Sequence, residues 1–289
     1  MMISRRDVLR CGAAGLAVAG MPSLLRAQPA ARIPVGVQLY SVRDFCKSDF
    51  DGTLEKIAEM GFEGVEFAGY YQYGADPEGL RKKLDSLKLK AAGTHIGANA
   101  LTEPALKKTI EFHKTIGCAF LICPGDKRFT DPEKSKEFAE LMNKAAEALK
   151  PEGLFCGYHN HAQEFKEHEG KTWMDLFAER TTKDVIIQQD AGWTIAAGHD
   201  PAAFVKKHPG RVKTTHIKAK LRKGAPEGSK EILGQDNNDW KSLVLASYEN
   251  GTEWFIVEQE AYPDKKTSLE CTKLSLEGFK KILAEAGKS

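Results

Sequence analysis

The chain has 289 residues, 42% hydrophobic and 28% charged, an ordinary globular composition with length enough for one large core. Lys and Arg total 42 against 40 Asp and Glu, a net charge of +2, so no field of one sign draws the protein onto nucleic acid or an anionic membrane.

The N-terminus departs from this pattern. Residues 4–30 read SRRDVLRCGAAGLAVAGMPSLLRAQPA, with the twin arginines Arg5 and Arg6 ahead of a short apolar run rich in Ala and Gly. Ala27 offers a small residue for cleavage before Gln28. That order is the layout of a twin-arginine export signal and predicts a periplasmic or secreted protein. The apolar stretch from Cys11 to Leu25 is shorter than the ~20 residues a span needs and is interrupted by Pro22, so no stable membrane anchor is expected. Residues 1–27 are therefore assigned to the signal and residues 28–289 to the mature domain. The mature chain keeps Cys46, Cys118, Cys123, Cys156 and Cys271, an odd number without zinc or disulfide spacing, which predicts buried, unpaired thiols.

From Ile33 onward, strand-like apolar runs alternate with helical patterns. In chain order, 33–40 (IPVGVQLY) is followed by a helix over 51–61, and 62–67 (FEGVEF) by 77–87. Next come 89–96 (LKAAGTHI) with 103–117, and 119–125 (AFLICPG) with 132–149. The run 153–161 (GLFCGYHNH) precedes 172–180, and 185–190 (VIIQQD) precedes 201–208. The last two pairs are 211–218 (RVKTTHIK) with 239–251, and 253–260 (EWFIVEQE) with 268–287. Pro77, Pro104, Pro132 and Pro201 read as first-turn prolines, and Gly61, Gly117 and Gly251 as helix stops. Eight strand–helix units over roughly 260 residues predict an α/β fold, a single-domain (β/α)8 TIM barrel. A doubly wound open sheet would carry a glycine-rich phosphate turn after its first strand, and LYSVRDFCKSD has none.

A TIM barrel places its chemistry at the C-terminal ends of the strands. Here those ends collect Glu66, His95, His159, Asn160, His161, Glu164, Asp190, His216, Lys218, Glu258 and Glu260. So many polar groups are costly in a barrel mouth without partners, and a cation partners several at once. Period-two alternation puts His159 and His161 on one face of their strand and Asn160 on the other.

The segments VQLYSVRD, GFEGVEFAGYY, GYHNHAQEF, QQDAGWTIAAGHDP, THIKAK and WFIVEQE resemble the sugar phosphate isomerase/epimerase family with the xylose isomerase-like TIM barrel, over essentially the whole mature chain. The resemblance implies one divalent ion held by Asp190, His216 and Glu258, with a further ligand from His159 or His161. A mixed carboxylate and imidazole set suits Mn2+, Co2+ or Zn2+. Glu258, Glu164, Glu66 and Lys218 are the candidates for catalytic proton work, and His95, Asn160, Trp193 and Tyr70 for substrate contact. Plainer roles compete: a turn cap for Asp190, a core histidine for His216, a salt bridge for Glu66, and core packing for Trp193 and Tyr70.

Two departures from the family pattern bear on the reaction. His159 stands where many epimerases carry a Glu, and Ala219 stands where many relatives carry Asp in a His-x-Lys-Asp run. The leading expectation is a divalent-metal-dependent sugar isomerase or epimerase working through an enediolate. The departures raise the alternative of a lyase acting on 3-keto sugars or keto-inositols. A non-catalytic sugar-binding protein is a third reading, and near-neutral charge disfavours a metal-dependent nuclease. The expected partner is a small sugar or polyol.

Overall fold

The computed structural model describes residues 32–288, so the export signal read from the sequence lies outside the described residues. Each apolar run of the domain becomes a strand: β1 Val35–Gln38, β2 Gly64–Phe67, β3 Lys90–His95, β4 Phe120–Cys123, β5 Phe155–His159, β6 Ile186–Asp190, β7 Val212–Ile217 and β8 Trp254–Val257. All are parallel and pair in chain order, and β8 closes on β1 to complete the barrel. The helical patterns form at Phe50–Met60, Pro77–Ser86, Leu106–Ile116, Ser135–Leu149, Trp173–Arg180, Pro201–Lys207, Trp240–Asn250 and Ser268–Glu285.

The ends follow capping chemistry. Asp76 and Asp200 cap the helices that open on Pro77 and Pro201. Gly61, Gly117 and Gly251 end theirs at φ of 87°, 71° and 83°, a region that favours residues without a Cβ. Pro104 and Pro132 differ from expectation: they lie in the connections, and their helices begin at Leu106 and Ser135. Further elements outside the eight units include the six-residue helices Arg43–Ser48 and Ala191–Ala196 and a two-stranded ribbon of Glu167–His168 with Lys171–Thr172.

The barrel interior is layered. At the N-terminal end Phe120, Ile122 and Ile186 pack with Phe155 and Trp254 into a separate apolar plug. Gly64 makes room for it, because a Cβ there would lie 2.8 Å from the Trp254 ring. The outer core, between strands and helices, holds most of the buried apolar side chains, including Phe129, Phe138, Tyr158 and Phe177. The five cysteines of the described residues are all buried and free. The ladder shifts register at two places, between Val65 and Glu66 against β3 and between Ile187 and Gln188 against β7. These one-residue bulges leave Ala92 and Lys213 without partners.

Candidate active site

The interior turns polar above the apolar plug. The strands, with the register of β3 and β7 reset by their bulges, deliver Gln38, Glu66, His95, His159, Gln188, Asp190, Thr214, His216, Lys218 and Glu258 to one end of the barrel. All are buried except His95, which is half-buried.

Glu66 is the hub of this layer. Its Oε1 accepts hydrogen bonds from Gln38 Nε2 at 2.6 Å and from His216 Nε2 at 2.8 Å, and His95 Nε2 lies 2.8 Å away in ion-pair contact. Its Oε2 accepts from Gln188 Nε2 at 2.6 Å. Burial raises this carboxyl, but the imidazoles of His95 and His216 outweigh it and hold the group well below the usual carboxylate range. A carboxylate has about four acceptor positions, and here three donors converge on it with His95 in ion-pair contact. Glu66 is thus a structural acceptor, and the proton-carrying role considered from the sequence does not fit it. A Cβ on Gly93 would come within 2.9 Å of Glu66 Oε2, so a glycine is needed opposite the carboxylate.

Above the hub, ligand atoms of His159, Asp190, His216 and Glu258 lie within 4.8 Å of one another. Asp190 Oδ2 is 3.9 Å from His159 Nε2 and 3.9 Å from His216 Nδ1. His216 Nδ1 is 2.9 Å from Glu258 Oε2. Two imidazoles and two carboxylates around one point form a donor set that fits a divalent transition ion. Burial lowers the His216 imidazole, but Glu66 and Glu258 on its two nitrogens dominate and push it up to about 10. The proton between Nδ1 and Glu258 is the one that an ion bound here would displace. Burial, reinforced by His216 and His95, drives His159 well below the ordinary histidine value, so its ring is neutral and available as a ligand. His161 stands outside this group.

Lys218 stands beside the cluster. Its Nζ is 3.0 Å from Glu258 Oε2, 3.3 Å from Asp190 Oδ2 and 2.5 Å from Glu260 Oε2. Burial lowers the ammonium, but the three carboxylates more than offset it and raise it far above the usual lysine value. The cavity over the cluster has a volume of about 330 Å³ and is lined by Tyr40, Ala68, His95, Pro124, His159, His161, Lys218, Glu258 and Glu260.

Other sequence candidates sit apart from the cavity. Asn160 bridges to the Asp190 backbone, donating to its carbonyl at 3.2 Å and accepting from its amide at 2.9 Å. Glu164 is buried and accepts from Tyr158 Oη at 3.0 Å, from the His161 amide at 2.8 Å and from Gln163 Nε2 at 3.2 Å. Tyr70 packs between Phe67 and Phe112, with Oη 2.7 Å from both Thr94 Oγ1 and His113 Nε2. None of these three is among the residues that line the cavity, and their hydrogen bonds are to the surrounding architecture. Trp193 lies against the site, its ring 5.0 Å from Lys218 Nζ and 5.2 Å from Lys220 Nζ. Sequence reasoning assigned no role to Gln38, Tyr40 or Gln188. The signal for Gln188 was present in its spacing, two residues before Asp190 on the same face.

An eight-stranded parallel barrel with a His, Asp and Glu cluster at its C-terminal mouth defines a class of barrel that carries chemistry at its strand ends. Residues 54–282 match the xylose isomerase-like TIM barrel family, and the chain belongs to it. An inosose dehydratase from Clostridium beijerinckii is 24% identical over 269 residues, covering 80% of this chain and 89% of that protein. A sugar phosphate isomerase/epimerase from Parabacteroides distasonis superposes with a TM-score of 0.71 at 25% identity, covering 85% of this chain and 96% of that one. A barrel protein solved with a bound zinc atom superposes with a TM-score of 0.63 at 12% identity, covering 88% and 99%.

Proposed function

We propose that this barrel is a divalent-metal-dependent enzyme that removes the proton beside the carbonyl of a keto-sugar or keto-inositol, and that loss of water is the outcome. One observation carries the reading. Among the described residues that line the cavity, both carboxylates, Glu258 and Glu260, come from the end of β8. Across from them β5 presents His159, whose Nδ1 is tied to Gln188 Oε1 at 3.0 Å. Epimerisation needs a proton carrier on each face of the reacting carbon, and the carboxylates here serve one face.

An ion held by His159, Asp190, His216 and Glu258 supplies Lewis-acid polarisation of the carbonyl and its neighbouring hydroxyl. The zinc in the structural neighbour and the mixed donor set favour Zn2+, Co2+ or Mn2+. Glu260, partly exposed at the mouth and 2.5 Å from Lys218 Nζ, takes the α-proton. Lys218 offsets the negative charge that builds on the substrate. As the C–H electron pair forms the new double bond, the β C–O bond breaks. Glu260 then returns its proton to the departing hydroxide on the same face, which leaves as water. The identity with an inosose dehydratase supports this outcome.

The mouth also favours a neutral substrate. Lys218 is matched by three carboxylates, and Lys220 pairs with Glu231 at 3.0 Å, so both ammonium groups are engaged before a phosphate arrives. Isomerisation or epimerisation is the second reading, favoured by His161, which lines the cavity from the β5 side.

A panel of 3-keto-hexoses, keto-inositols and ketohexoses, incubated in D2O with protein loaded with Zn2+, Co2+ or Mn2+ and followed by NMR, tests this. An unsaturated or rearranged diketone product supports dehydration. Deuterium at an inverted α-carbon selects the second reading. Saturable binding without exchange or turnover overturns the enzyme assignment.

A further inference from the structure

The two imidazoles of the cluster present different nitrogens to it, Nε2 from His159 and Nδ1 from His216. Each ring has its other nitrogen below, in the polar floor. His159 Nδ1 meets Gln188 Oε1 at 3.0 Å, and His216 Nε2 meets Glu66 Oε1 at 2.8 Å. We propose that Gln188 and Glu66 form a positioning floor that holds a hydrogen on the lower nitrogen of His159 and of His216, so that the upper nitrogen of each, Nε2 and Nδ1, is the one left for an ion.

The orientation of the Gln188 amide carries this inference. Its Nε2 donates to Glu66 Oε2 at 2.6 Å and to Thr214 Oγ1 at 2.9 Å. Its Oε1 then faces His95 Nε2 at 2.7 Å and His159 Nδ1 at 3.0 Å. Flipping the amide would press its oxygen against the Glu66 carboxylate and turn its NH2 toward both rings. Only the observed orientation satisfies both sides, since an amide has two donors and two acceptor positions and all four are used. An acceptor at Gln188 Oε1 requires a hydrogen on His159 Nδ1, and in a neutral imidazole the other nitrogen, here Nε2, then carries the lone pair. The carboxylate of Glu66 makes the same demand of His216 Nε2.

Neither residue is replaceable by its charge relative. A Glu at 188 would set two carboxylates at the 2.6 Å now spanned by a hydrogen bond. A Gln at 66 would bring a donor to a position where three donors already converge. Partners of metal-ligating histidines typically account for 10–100-fold in metal affinity.

The inference rests on the metal reading above, and the experiment separates the two. Long-range 1H–15N NMR on metal-free protein at mildly alkaline pH reads the tautomer of His159 without any ion or substitution. The expected pattern is hydrogen on Nδ1 and a lone pair on Nε2, and a Nε2–H pattern overturns the proposal. Zn2+ affinity by competition with a chromophoric chelator, and the visible spectrum of the Co2+ form, are then compared between wild type and Gln188→Met. A loss of roughly 10–100-fold with a shifted Co2+ spectrum is expected. Wild-type affinity in a folded Gln188→Met protein overturns the proposal. If Gln188→Met does not fold, the wild-type tautomer decides. If wild-type protein binds no ion, the metal reading fails, while the tautomer measurement still judges the floor.

Discussion

Asp190 and Trp193 are joined by a hydrogen bond of 2.7 Å from the Trp193 amide to Asp190 Oδ1, while the other oxygen of the same carboxylate faces the cluster. One side chain thus caps the helix Ala191–Ala196 and turns its Oδ2 toward the cluster that could hold an ion. Asp190→Asn keeps the cap oxygen and loses the charge, and Asp190→Ala loses both. Both variants are expected to lose stoichiometric Zn2+ binding. In the metal-free state Asp190→Ala should also be less stable than Asp190→Asn by about 1 kcal/mol, the usual worth of an N-cap. Zn2+ titration with urea unfolding checks the pair, and retained binding in Asp190→Asn would remove Asp190 from the ligand set.

Glu164 should behave as a structural carboxylate. Its three hydrogen bonds tie Tyr158, Gln163 and the His161 amide together in a buried corner. Glu164→Gln turns one acceptor into a donor there and is expected to cost about 1–3 kcal/mol of stability. Metal affinity and the α-proton exchange rate should stay near wild type in the folded fraction. Full stability with exchange abolished would place Glu164 in the proton chemistry.

His208 makes an acid-sensitive point far from the cluster. It is buried, its Nε2 has no hydrogen-bond partner among the described residues, and burial lowers it to about 4. Its unfolded value is about 6.5, so between these two values the unfolded chain binds the extra proton. Stability should therefore fall as pH drops from about 6.5 to about 4, and His208 adds nothing above that window. The slope measured by urea unfolding should be shallower in His208→Gln. An unchanged slope would show that His208 is solvated in solution.

Export is proposed from Arg5 and Arg6 ahead of the short apolar run. Replacing both with Lys should retain the precursor in the cytoplasm, and the N-terminal sequence of the exported wild-type form should begin at Gln28. Unchanged fractionation of the double variant would reject the signal. Among the described residues no helix is long and apolar enough to cross a membrane.

The fold was legible because its signals are local. Period-two runs and capped amphipathic runs place all eight strands and the helices that follow them within a few residues. Asp190, His216 and Glu258 were legible for the same reason, each closing an apolar run. Two kinds of information were not. The Glu66 floor joins residues 28, 122 and 150 positions apart, and no local pattern connects Gln38, Gln188 and His216 to it. The roles of Glu164 and Tyr70 were hidden because the chain leaves the ladder beyond His159 and Phe67, where alternation no longer says which way a side chain points, whereas alternation did set Asn160 on the face opposite His159.

The two bulges act as phase resets. Strict alternation counted from Ala91 or from Val212 assigns His95 and His216 to the outer wall, against the helices. The unpaired Ala92 and Lys213 advance the count by one, and both imidazoles swing into the barrel. The lower half of each strand therefore keeps an apolar residue packed outward, while its upper half sends a nitrogen ligand or its neighbour inward. Grafting the same side chains onto a perfectly regular barrel would reproduce the composition of this site and scatter its atoms across two sides of the sheet.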